Sequence, residues 1–208
     1  MRPSHLLIAL AVAFPALACA SPPIGSNSVV PSCISLVGSS GGVAAAAGQF
    51  TVVVRDLANN PLVGAVVTIE LLSCPDLDIC ADQLDPAAVV DCANKHVNKL
   101  SDGAGTATFT VLGGSNGAGN AVTLLNGGRV YVNGTLIGSP TVSAFDLDGH
   151  SGVGANDLSA WLTDFGSGNS FGRSDYDCSN SVGANDLSLW LTAFGSGTMT
   201  QSCATSCP

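Results

Sequence analysis

The sequence predicts a mainly β chain: a β-sandwich over residues 29–143, followed by a small helical module over 144–197. Three observations point there. Short apolar runs with strand-like alternation recur from Val29 to Ser143, divided by turns rich in glycine, asparagine and proline. Charged residues are only 10% of the chain and glycine is 25 of its 208 residues, a composition that suits strands and tight turns. Finally, VGANDLSAWLTDFGSG (153–168) returns as VGANDLSLWLTAFGSG (182–197), changed only at Ala160/Leu189 and Asp164/Ala193.

Residues 1–20 read as an export signal. Arg2 is a small positive n-region, 6–18 is an apolar run of h-region length, and Ala18-Cys19-Ala20 offers a cleavage site. The run is too short, and too soon followed by Ser21-Pro22-Pro23, to span a membrane as a helix. Ala16-Leu17-Ala18-Cys19 also resembles a bacterial lipobox, which would make Cys19 a lipid anchor. Both readings put the chain outside the cytoplasm, secreted or on the outer surface of a bacterium, where thiols oxidise. Cys33, Cys74, Cys80, Cys92, Cys178, Cys203 and Cys207 then form an odd set, so one lacks a partner within the chain. Spacing leaves several pairings open: Cys74 with Cys80 as a local loop, Cys33 with Cys92 between strands, and Cys178 with Cys203 or Cys207 to pin the 198–208 tail. No paired C-x-x-C units argue for zinc.

After a Pro/Gly/Ser leader (21–28), GQFTVVVRD (48–56) alternates through Phe50, Val52 and Val54. DLANNP (56–61) is a turn cluster, and VGAVVTIELL (63–72) a second strand-like run. TATFTVLGG (106–114) is entered from the turn SDGAG. RVYVNGTLIG (129–138) holds Asn133-Gly134 between two apolar runs, a strong hairpin signal. The order of these runs over 49–111 resembles the bacterial immunoglobulin-like (Big-type) repeats of surface proteins, and that resemblance implies an immunoglobulin-like sandwich. The stretch 73–99 departs from the short connection usual there and reads as a disulfide-stapled loop or a binding loop.

Extended backwards, the two repeats become DLDGHSGVGANDL (146–158) and DYDCSNSVGANDL (175–187). Asp146, Asp148 and Asp157, then Asp175, Asp177 and Asp186, fall at positions 1, 3 and 12 of a twelve-residue loop. That is the spacing of an EF-hand calcium loop. Position 5 is His150 or Ser179. Position 7, which offers a backbone carbonyl, is Gly152 or Ser181; Val153 and Val182 at position 8 are placed to pair the loops. Two departures weaken the pattern: position 5 is not Asp, and position 6 is Ser151 or Asn180 where a sharp turn favours Gly. A hard cation prefers oxygen to the His150 nitrogen, so the expected calcium affinity is modest, about 10⁻⁵–10⁻³ M on the extracellular scale. A helix should follow each loop, started at Asn156/Asp157 and stopped at Gly166 and Gly195. Leu158, Trp161, Leu162 and Phe165, and their counterparts Leu187, Trp190, Leu191 and Phe194, would form apolar faces that bury each other.

This duplicated unit is similar to a type I dockerin. The resemblance implies a calcium-folded module that docks to a cohesin or another cell-surface protein, through positions 10 and 11: Ala155 and Asn156, Ala184 and Asn185. The chain would then be a noncatalytic secreted or surface protein whose sandwich serves as spacer or adhesin. A subunit of an extracellular polysaccharide-degrading assembly is the alternative, and a carbohydrate-binding module a third reading. Catalysis is not indicated. Glu70 is the single glutamate, the aspartates are drawn into the loops, and the histidines are His5, His96 and His150, with no nucleophile elbow or phosphate loop. Six Lys and Arg against fifteen Asp and Glu, a net charge of −9, leave no basic stripe for nucleic acid.

Overall fold

The computed structural model describes residues 21–117 and 124–207. The expected export signal and Cys19 lie outside them. Among the described residues the chain is mainly β with two α-helices, α1 (Ala155–Gly166) and α2 (Ala184–Ser196), and neither is long and apolar enough to cross a membrane.

The largest sheet has five antiparallel strands in the order Thr135–Gly138, Arg129–Val132, Val66–Glu70, His96–Leu100 and Val89–Asp91. Its first two strands form the hairpin expected at Asn133-Gly134, where both residues take positive φ (47° and 80°). Positive φ at both central residues is the twist-matching turn, and Asn-Gly adopts it with least strain. Gln49–Val53 pairs with Thr106–Thr110, and Leu77–Cys80 lies between Gly113–Ser115 and the tail strand Ser206–Cys207. Cys33–Leu36 runs parallel to Thr141–Ala144.

Alternation decides what is inside. Val52, Val54, Val67, Ile69, Val97, Phe109, Val130 and Val132 point inward into one core with Ile34, Leu36 and Val142. Each such side chain contributes about 1.5–3 kcal/mol when fully buried. The stretch 73–99 is not a stapled loop. It supplies three strands, and its cysteines reach far along the chain.

The disulfides correct the expected pairings. Cys33 bonds Cys178, Cys80 bonds Cys203 and Cys92 bonds Cys207, while Cys74 remains a buried thiol whose pKa burial pushes up to about 12. Cys74 is turned into the core, and Cys80 sits on a strand whose neighbour is the tail, so sequence proximity counted for nothing. Every bond joins the 29–143 stretch to the C-terminal stretch.

The helices also differ from expectation. Gly154 and Gly183 are the N-caps, so each helix starts ahead of the Asn-Asp pair, and α2 ends on Gly197 in the left-handed conformation. Their apolar faces do not simply bury each other. Trp161 and Trp190 are 1% exposed, but Leu162 and Phe165 are each 52% exposed and Leu191 and Phe194 48% and 49%. The buried stripe is narrow: Asp157, Trp161 and Asp164 on α1, and Asp186, Trp190 and Ala193 on α2. It packs with Val37, Ala45, Leu112, Phe145, Leu147, Tyr176 and Met199, residues supplied mostly by the β part and the tail. Phe165 and Phe194 stack on the two indoles, with centroids 5.4 Å apart in each pair.

Candidate metal centre

The strand Thr141–Ala144 is buried along its whole length and leads straight into the first Asp loop, where Phe145 N–H donates to Leu36 O. The loop then closes on itself through carboxylates. Asp157 Oδ1 accepts from the backbone N–H of Leu147 (2.6 Å) and Asp148 (2.9 Å), and its Oδ2 from Gly154 N–H (2.6 Å). Asp146 Oδ1 accepts from Gly149 N–H, and Asp148 Oδ1 from His150 N–H. Twenty-nine residues on, the frame repeats. Asp186 Oδ1 accepts from the N–H of Tyr176 (2.7 Å) and Asp177 (3.0 Å), and its Oδ2 from Gly183 N–H (2.8 Å). Asp175 takes Ser179 and Asn180 N–H, and Asp177 takes Ser179 N–H.

Each loop thereby gathers three carboxylates. One oxygen each of Asp146, Asp148 and Asp157 lie within 4.8 Å of one another, as do those of Asp175, Asp177 and Asp186. Asp146, Asp157, Asp175 and Asp186 are buried. Burial, reinforced by the Asp157 charge, pushes the Asp146 carboxyl up to about 6, and burial with the Asp186 charge does the same to Asp175. Burial also raises Asp157, against the N–H groups that hold it. Asp177 is lowered, chiefly by its hydrogen bond from Ser179. Two such carboxylate groups are expensive without a cation and fit a hard one, because every clustered donor is an oxygen. These clusters could hold a metal ion.

Ser151 and Asn180, at the turn position, have φ of 62° and 66°, so both loops make the left-handed bend without glycine. The His150 ring faces its own chain, its Nδ1 2.6 Å from Asp148 O. Ser179 Oγ donates to Ser181 O. Gly152 has φ +72, and a side chain has no room there, since a Cβ would collide with Met199 O. Val153 and Val182 form no bridge with each other among the described residues; Val153 N–H donates instead to Met199 O, because the tail lies along the loop. Ala155, Asn156, Ala184 and Asn185 line the start of each helix; Ala155 and Asn156 are exposed, as are Ala184 and Asn185, and Asn185 also hydrogen-bonds Asp177.

One buried constellation escaped the sequence reading. Asp164 accepts two hydrogen bonds from Arg173, Nε and Nη2, at 2.8 Å each, and a third from Ser174 Oγ at 2.6 Å. Arg173 Nη1 also lies 3.9 Å from Asp76 in the 73–99 stretch. Burial works against the guanidinium charge, yet the hydrogen bonds and charge of Asp164 hold the Arg173 pKa above its ordinary value. Ala193 and Ser202 stand where Asp164 and Arg173 stand in the first repeat. The Asp164/Ala193 change was the available signal.

No protein-family model, curated protein or solved structure matches the chain.

Proposed function

We propose that this is a noncatalytic secreted or surface protein whose β scaffold carries a calcium-binding docking module for protein–protein attachment. The observation that carries it is the repetition, in both loops, of three carboxylates drawn together around the same backbone N–H frame. Asp146, Asp148 and Asp157 would hold one ion, and Asp175, Asp177 and Asp186 the other, with Gly152 and Ser181 contributing carbonyls. Bound calcium would neutralise the carboxylates and fix each loop to the start of its helix.

The docking part rests on what the helices leave uncovered. Leu162, Phe165, Leu191 and Phe194 are half-exposed, on the same two helices that begin with the exposed pairs Ala155-Asn156 and Ala184-Asn185. Large apolar side chains left half-exposed on two repeated helices are the makings of an interface. Three disulfides are compatible with an extracellular location. Recruitment to a polysaccharide-degrading assembly through a cohesin is the narrower form of the same reading.

The test is binding of the oxidised full chain to an immobilised cohesin module, in calcium and in chelator. Calcium-dependent binding lost in Leu162→Ala/Leu191→Ala supports docking through this face. Binding equal in chelator, or unaffected by the substitutions, counts against it.

A further inference from the structure

We infer that the two loops hold their cations unequally and that the Cys33–Cys178 disulfide makes the second loop the tighter site. This rests on the calcium reading above. Cys178 is inside the second loop, between Asp177 and Ser179, at position 4 and with φ 56°. Its partner Cys33 begins the strand Cys33–Leu36, which is paired in register to the wholly buried strand Thr141–Ala144. The second loop is thus tied covalently to the scaffold at a point between its ligands. The equivalent residue of the first loop is Gly149, φ 73°, which has no side chain and no tie. The first loop has no disulfide of its own and is held by hydrogen bonds: Ser115 N–H to Asp146 O from the strand Gly113–Ser115, and Val153 N–H to Met199 O and Gly152 N–H to Ser202 Oγ from the tail, which Cys203 bonds to Cys80.

A loop held in shape before binding loses less freedom when a cation arrives. Glycine has the most freedom to lose. Two further differences act in the same direction. At position 5 the second loop has the Ser179 hydroxyl, an oxygen, where the first has His150 with its ring bonded to Asp148 O. At position 6 the left-handed bend is made by Asn180, which tolerates it better than Ser151 does. One difference opposes: Asp177 is exposed while Asp148 is half-buried, so water screens one carboxylate of the second loop more. It concerns one ligand of three, since Asp175 and Asp186 are as buried as Asp146 and Asp157.

The test is calorimetric calcium titration of the oxidised full chain, alone and with Asp146→Asn, Asp175→Asn or Cys33→Ser/Cys178→Ser. The expected result is two phases at least about tenfold apart in affinity. Asp175→Asn should abolish the tighter phase and Asp146→Asn the weaker. Removing the disulfide should weaken the tighter phase by about tenfold and leave the other unchanged. Equal phases, or a tighter phase lost in Asp146→Asn, would overturn the inference while leaving calcium binding intact. So would a tighter phase unmoved in a disulfide variant with native near-ultraviolet circular dichroism. If that variant fails to fold, the two Asp variants still decide. Absence of binding at either loop in the unaltered chain would overturn both readings.

Discussion

Asp164 grips the guanidinium of Arg173 through two 2.8 Å hydrogen bonds, with the carboxylate 2% and the arginine 4% exposed. Removing one partner of such a pair strands a buried charge. Asp164→Ala should therefore destabilise the chain by about 3–5 kcal/mol. Asp164→Ala/Arg173→Ser, which copies the second repeat, should cost less than Asp164→Ala alone. Urea unfolding of both variants checks this; a double variant worse than the single one would show that the Arg173 contact with buried Asp76 outweighs its pairing with Asp164.

Without calcium, stability should fall as pH rises from about 4 to about 6. Asp146 and Asp175 bind their protons more tightly folded, at about 6, than the ordinary carboxyl at 3.8. The folded state therefore gains fully below the lower value and loses that gain above the upper one. Calcium should flatten the slope, since it replaces the protons. Thermal unfolding across this range, in chelator and in calcium, measures it. A slope of opposite sign in chelator would contradict the electrostatic argument.

Gly152→Ala should destabilise by about 1–3 kcal/mol, because the left-handed backbone and the Met199 carbonyl both oppose a side chain. The corresponding change at Ser181 should be near neutral for folding, as that position already carries a Cβ. Denaturation midpoints of the two variants, compared side by side, give the answer.

Gly134→Ala should cost about 1 kcal/mol through the hairpin turn, where φ is +80 but space is open. Its effect on calcium affinity should be nil, since the turn lies on the five-stranded sheet away from both loops. A shifted calcium isotherm in this variant would argue for coupling through the sheet.

How much of this was legible follows from range. Asn133-Gly134 specifies its turn within two residues, and the strand alternation around Val67 and Ile69 is equally local. The Asp spacing was readable for the same reason: a twelve-residue loop carries its own carboxylates and its own N–H frame. The disulfides were not, because Cys80 finds Cys203 only after the tail pairs beside Leu77–Cys80. Nor was the exposure of Leu162 and Phe165. Helical periodicity marks an apolar face, but the width of the buried stripe is set by Trp161, Asp164 and the β residues they meet. Arg173 is only nine residues from Asp164, but an Asp and an Arg at that spacing form no recognisable motif, and the loss of Asp at position 193 was the one pointer to the pair.

If both Asp loops are calcium sites, counting bound ions shows it without intermediaries. Equilibrium dialysis of the oxidised full chain against calcium, beside Asp157→Asn/Asp186→Asn, is the measurement. One ion should bind at each loop of the unaltered chain, and none specifically in the double variant. Equal calcium uptake by the two proteins, or none by either, would contradict the assignment of both sites.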